Sequence, residues 1–255
     1  MTLDVKNNRL WVANFIFKTD SGNPGSNLKV FDYKTGKLLK TIPENFVQGA
    51  FFNEVTLDEK GNVYVSDTFA PTIWTANFSS AEPTIFVQNT SLLKKPSPDQ
   101  PFGLNGLTIT PDNQYLIASV MNRTIKGGGT LVRINLSNKE VKSIQLKDDE
   151  ASKSFSGSDG MFFYKGELFM VNVYSQSGAI FTASFNKDFS EAKLTIRSKF
   201  QASYDRPTAS AIRNGKLYTV NSQLNHIIDD KDGQLNTPPS LPFQVVAVPL
   251  AELLK

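Results

Sequence analysis

The sequence predicts an all-β protein made of repeated four-stranded sheets arranged as a β-propeller. Three observations predict it. Helical periodicity is almost absent; an alternating run, a Gly- or Asn-centred turn and a second run rich in Val, Tyr, Phe and Leu recur together; and the recurrence has a period of about 50 residues.

The recurring unit reads as an antiparallel hairpin. It appears as TLDVKNNRLWVAN from Thr2, VTLDEKGNVYVSD from Val55, LTITPDNQYLIAS from Leu107, MFFYKGELFMVNV from Met161 and ASAIRNGKLYTVN from Ala209. The residue just before each first strand serves as a marker. These markers are Asn53, Asn105, Asp159 and Thr208, spaced by 52, 54 and 49 residues. A unit of that length fits four short strands, the blade of a propeller, whereas a β-sandwich has no such long regular period. The outer strands are also visible, as PTIWTANF and PTIFVQN in the second unit, GTLVRINL and VKSIQL in the third, and AIFTASF and KLTIRSKF in the fourth. Five units are visible in a single domain over residues 1–255. The only helix expected is a short C-terminal turn at AELLK.

Polar or proline-rich segments join the units: SLLKKPSPDQPFG from Ser91, KDDEASKSFSGS from Lys147 and LNHIIDDKDGQLNTPPSLPF from Leu224. Their position between blades predicts loops over one face of the disc, where a ligand site is expected.

The 255 residues are 40% hydrophobic and 20% charged, the composition of a folded globular protein. The absence of Cys excludes a disulfide scaffold, a thiol nucleophile and thiolate metal sites. Lys and Arg exceed Asp and Glu by 27 to 24 but are spread along the chain, so neither nucleic acid nor a membrane surface is an expected partner. No window has the apolar length of a membrane helix or an export signal, and a soluble chain of unassigned compartment is expected. The N-x-[ST] triplets at Asn77, Asn89, Asn122 and Asn135 do not assign a compartment in a chain this rich in Asn, Ser and Thr.

The marker column carries the functional signal. Asn53, Asn105 and Asp159 enter the innermost strands of three successive blades and would converge near the axis. Their oxygens are hard ligands suited to Ca²⁺, Mg²⁺ or Mn²⁺. The competing reading is that they cap loops by bonding nearby backbone N–H groups.

The surrounding motifs are FFNEVTLDEKGNVYVSDT from Phe51, FGLNGLTITPDNQYLIAS from Phe102 and SGSDGMFFYKGELFMVNV from Ser156. In order and spacing they resemble the senescence marker protein/gluconolactonase/luciferin-regenerating-enzyme-like family of six-bladed propellers. The closing RPTASAIRNGKLYTVNSQLN and PFQVVAVPL look like that family's last blade. The resemblance implies a divalent metal on the axis, Ca²⁺ foremost with Mg²⁺, Mn²⁺ or Zn²⁺ as alternatives, held by Asn53, Asn105 and Asp159. It also implies a small-molecule lactone or ester as substrate, opened with Asp159 as the base. The family's further ligand, a Glu in a segment resembling F-P-E-G ahead of the first hairpin, has no match. The first unit's own marker would fall just before Met1, so the chain resembles blades two to six. Five of six blades would leave a gap of roughly 60°, with apolar sheet faces exposed on the first and last units. A non-catalytic propeller scaffold is the alternative function.

Other constellations are weaker. His226 is the only histidine, which excludes a multi-His zinc site. Gly127, Gly128 and Gly129 read as a hairpin turn rather than a phosphate cradle. The run DDKDG from Asp229 begins like a Ca²⁺ loop, but Pro239 stands six residues after Gly233 where Glu is required. Thr208 and Asn221 are candidate substrate-binding residues, with hydrogen-bonded turn positions as the plainer reading. Phe51, Phe102, Trp74 and Trp11 read as core and blade-packing aromatics.

Overall fold

The computed structural model describes residues 1–94, 102–122, 128–173, 180–198, 204, 206–224 and 238–254. Five successive antiparallel blades form from the five predicted units. Blade 1 contains β1 (Thr2–Asp4), β2 (Arg9–Ile16), β3 (Gly25–Asp32) and β4 (Leu38–Gln48) in sequential order. Blade 2 contains β5 (Phe52–Leu57), β6 (Val63–Asp67), β7 (Thr72–Ala76) and β8 (Thr84–Gln88). Blade 3 contains β9 (Leu104–Ile109), β10 (Tyr115–Val120), β11 (Thr130–Asn135) and β12 (Val141–Ser143).

Blade 4 departs from the four-strand expectation. Its strands β14 (Met161–Tyr164), β15 (Glu167–Val171), β16 (Ile180–Phe185) and β17 (Glu191–Ser198) are joined by β13 (Gln145–Leu146), which pairs parallel with β17. The run VKSIQL, expected as one strand, therefore splits. Its first half closes blade 3 and its second half covers the outer edge of blade 4, supplying partners to an otherwise open ladder. Blade 5 has three strands among the described residues: β18 (Pro207–Arg213), β19 (Lys216–Asn221) and β20 (Val245–Pro249).

The expected C-terminal turn is α2 (Leu250–Leu253). A second helix, α1 (Glu150–Ser154), corrects the reading of its segment as loop alone. Asp149 starts it, its Oδ1 accepting from Ser152 N at 2.9 Å, the side-chain capping an exposed helix start requires.

The core is divided among the blade boundaries. One apolar cluster joins blades 1 and 2 around Trp11, Leu28 and Phe52, and another joins blades 2 and 3 around Ile73, Leu104 and Leu116. A third joins blades 3 and 4 around Ile117, Met161 and Phe181, and the fourth joins blades 4 and 5 around Phe169, Ile180 and Leu217. Alternating side chains thus fill the space between neighbouring sheets, as the strand period dictates. On the end blades large apolar side chains remain open to solvent, including Leu3 in blade 1 and Tyr218, Val220 and Val245 in blade 5.

The N-x-[ST] sites at Asn77, Asn89 and Asn135 are turns in which the amide Oδ1 accepts from the backbone N–H two residues on. His226, the run from Asp229 and Gly127 lie outside the described residues. Gly128 and Gly129 directly precede β11, as the hairpin reading requires, and Gly129 N donates to Phe155 O.

Candidate functional site at the mouth of the channel

The innermost strands share a defect at the marker column. Between Phe52 and Val55, three steps along β5 oppose two along β6. The same extra residue occurs between Leu104 and Leu107 opposite β10, and around Thr208 between Pro207 and Ala209 opposite β19. Each is a β-bulge, which breaks strict alternation and re-aims side chains. Asn53, Asn105 and Thr208 all lie within these bulges.

The bulge in β5 has a consequence that sequence periodicity hides. Perfect alternation would put Glu54 and Asn53 on opposite faces. The charge of Glu54, in blade 2, is among the causes that raise the Asp159 carboxyl in blade 4, so the two acids act on one another electrostatically although their blades are not adjacent. Glu54 is an acid outside the marker column whose charge acts on Asp159, the one acid among the marker residues. The signal was the acid in F-N-E-V where the next two units have Gly after the marker.

Both acids are strongly perturbed. Desolvation by the surrounding protein, followed by the Glu54 charge, pushes the Asp159 carboxyl up to about 8. Burial likewise raises Glu54, partly offset by the Met1 α-ammonium, which lies 3.6 Å from Glu54 Oε1.

Backbone contacts lock the site together. Ser66 Oγ on β6 donates to Asn105 O at 2.6 Å and accepts from Glu54 N at 3.1 Å, tying the inner strands of blades 2 and 3. Gly106 N donates to Ser158 O at 3.1 Å, and Gly160 N donates to Thr208 O at 2.7 Å. The glycines after Asn105 and Asp159 are required by this closeness. A Cβ on Gly106 would lie 2.3 Å from Asp159 O, and one on Gly160 would lie 2.9 Å from Ala209 Cα. The N-G and D-G dipeptides thus let each inner strand pass directly behind the next one's marker.

The individual side chains divide between binding and structural roles. Asn105 is buried, and its Oδ1 accepts no hydrogen bond. Asn53 Nδ2 donates to Thr68 Oγ1 at 3.0 Å, which orients its amide. Thr208 lies at the bulge of β18, and its carbonyl accepts from Gly160 N, which joins blade 5 to blade 4. Asn221 lies one strand farther from the axis, on β19, 2% exposed, with its N–H donating to Gln244 O.

The donor set suits a hard divalent cation. The candidate ligands are two desolvated carboxylates that repel one another, the buried Asn105 amide oxygen that accepts from no donor, and the Asn53 amide. Among the described residues no group of three acids or imidazoles occurs, so any cation here would rely on amide oxygens as well.

Aromatic rings crowd the same end of the blades. Phe15 stacks on Phe51 with centroids 4.0 Å apart, and Phe69 meets Phe51 edge-on at 5.1 Å. Phe17 contacts Phe15 at 4.9 Å, and Phe102 contacts Phe51 at 6.2 Å. Trp11 is core, as expected, and Trp74 packs against the core of blades 1 and 2. Phe51 and Phe102 belong to this mouth cluster rather than simply to blade packing.

No family model matches the sequence, and no curated protein matches it. Solved structures do. The major Malassezia sympodialis allergen aligns with a TM-score of 0.62 at 14% identity, over 86% of this chain and 69% of that one. A luciferin-regenerating enzyme aligns at 0.59 and 12% identity, over 97% of this chain and 74% of that one. A Bacteroides uniformis protein named for 6-phosphogluconolactonase activity aligns at 0.57 and 13%, over 96% and 70% respectively. At these identities the likeness is one of fold, and the chain is a β-propeller whose blades superpose on those of these proteins.

Proposed function

We propose that the protein is a hydrolase that opens a lactone or related ester at the channel mouth, with a divalent cation held by Glu54, Asn53, Asn105 and Asp159. The observations that carry this reading are the charge of Glu54 acting on the desolvated Asp159 and the buried Asn105 Oδ1 that accepts no hydrogen bond. Two like charges in a desolvated site are costly unless a cation or a proton compensates them. Bound there, the cation would supply Lewis acidity toward the ester carbonyl and acidify water.

The protein's own groups account for the rest. Asp159 is made more basic by desolvation and by Glu54, which suits a carboxylate accepting a proton from the attacking water. The Asn53 amide is oriented by its bond to Thr68 Oγ1, which leaves its oxygen available to the cation. The Ser66 and Gly106 contacts hold neighbouring inner strands at a fixed separation, so the acids need not rearrange during the reaction. The luciferin-regenerating enzyme and the lactonase-named protein share the fold and favour the hydrolase over a scaffold.

The test is Ca²⁺ and Mn²⁺ calorimetry on the chain, on Asp159→Ala and on Glu54→Gln, with hydrolysis of a lactone panel in the same samples. Binding and turnover lost together in both variants support the reading. A wild-type chain that neither binds either cation nor turns over any lactone overturns it.

A further inference from the structure

We propose that the five-phenylalanine cluster at the channel mouth is a stacking platform, and that the ester opened at the acid pair carries an aromatic ring. This rests on the hydrolase reading and names its substrate class. The rings of Phe15, Phe17, Phe51, Phe69 and Phe102 come from blades 1, 2 and 3 and form one continuous set of stacked and edge-on contacts. Phe51 lies two residues before Asn53 and Phe102 three before Asn105, so the cluster is built on the same segments that enter the site.

Packing alone does not account for the cluster. Phe17 is 71% exposed and Phe69 38%, an unusual cost for such large apolar side chains when they sit side by side on a rim. The protein also ties the backbone of Phe51 and Phe69 in place. The buried Asp67 carboxylate accepts from Phe51 N at 3.0 Å and from Phe69 N at 3.1 Å through one oxygen, and from Trp74 Nε1 at 3.2 Å through the other. Thr68 N donates to Phe51 O at 2.9 Å, while Thr68 Oγ1 accepts from Asn53. Residues 51–53 and 67–69 are thus cross-tied, and the platform and Asn53 are set relative to each other by the same bonds.

A flat aromatic ring stacks on such a surface at little entropic cost, because both partners are already ordered. A sugar lactone offers only its C–H faces to such rings and needs polar partners for its hydroxyls, which the ring faces do not supply, so the platform favours an aromatic ester over it. In the reaction, water forms a bond to the acyl carbon and the ring C–O bond breaks. The proton from water passes by way of the Asp159 carboxylate to the leaving oxygen, giving a carboxylic acid and a phenol or alcohol.

The test compares dihydrocoumarin, δ-valerolactone and glucono-δ-lactone as substrates of the full chain, Phe17→Ala and Phe69→Ala. Circular dichroism confirms that each variant folds, and the exposure of both residues makes loss of the fold unexpected. The expected result is kcat/KM for dihydrocoumarin lowered about tenfold in Phe69→Ala, with δ-valerolactone changed less than about twofold. Equal losses on both substrates, or none, would overturn the platform while leaving the hydrolase reading standing. Proton NMR with 2-naphthamide separates the two ideas without turnover. Ring-current shifts that vanish in Phe69→Ala support the platform even if no lactone is hydrolysed, and no binding of 2-naphthamide by the wild type counts against it.

Discussion

Replacing Gly106 by Ala tests whether the close passage of the inner strands organises the site. The added Cβ would stand 2.3 Å from Asp159 O, 2.6 Å from Met161 Cγ and 2.9 Å from Ser158 O. Met161 can turn aside, but two backbone carbonyls cannot. Relief requires the inner strands of blades 3 and 4 to separate by roughly an ångström. It also strains the Gly106 N to Ser158 O bond that joins them. Overpacking against backbone belongs at the upper end of the usual range, about 3 kcal/mol. For a chain of this size that lowers the midpoint of thermal unfolding by about 6–12 °C. Since Asp159 moves with its carbonyl, turnover should fall by about 100-fold, and cation affinity should fall with it. Gly166→Ala is the comparator: its φ is +84° but a Cβ there meets nothing within 4 Å, so only backbone strain of about 1 kcal/mol is expected. Urea denaturation and calorimetry on the two variants decide the matter. If Gly106→Ala is no less stable than Gly166→Ala and binds cations like the wild type, the blades are not locked at this point and the reasoning fails.

Three further outcomes follow from the same contacts. In chelator-treated protein, stability should fall as pH rises from about 4 to about 8 and level off above that, because Asp159 titrates at about 8 when folded against 3.8 when free; Asp159→Asn should flatten this slope in urea titrations at stepped pH. Asp67→Ala leaves the N–H groups of Phe51 and Phe69 and the Trp74 indole without their acceptor, which should cost about 2–4 kcal/mol and weaken binding of 2-naphthamide more than binding of Ca²⁺, read by denaturation and NMR. The open apolar side chains of the end blades should drive concentration-dependent association in light scattering, and Tyr218→Lys with Val220→Lys should reduce it.

The fold was legible because a propeller repeats its evidence. Each hairpin is marked independently by alternation and by a turn, and the spacing of Asn53, Asn105, Asp159 and Thr208 adds a second, longer period. Partner choice between blades was not legible. Nothing in VKSIQL marks Ile144 as the point where the chain leaves β11 of blade 3 and begins to pair with β17 of blade 4. The helix at Glu150–Ser154 was also hidden, since one turn has too little periodicity to register and its clearest mark is a single cap, Asp149.

The site was half legible, and the reason is the bulge. A marker column assumes that one residue per blade points inward, which holds only while strands alternate. One extra residue lies between Phe52 and Val55, so strict alternation does not fix Glu54 to the face opposite Asn53, and its charge acts on Asp159 although Asn53 is the marker. In blades 3 and 4 the equivalent positions are Gly106 and Gly160, where a Cβ would strike the following blade. The position after the marker therefore carries a side chain in blade 2, where it supplies the second charge of the site, and none in the next two, where the strands must pass closely. This asymmetry also separates the two halves of the mouth. The acids belong to the inner-strand segments of blades 2 and 4, while the aromatic rings come from blades 1 to 3. A substrate that bridges them must present its ester to the axis and its apolar body to that rim, so mutations on the rim should change which ester is opened, and mutations on the axis whether any is.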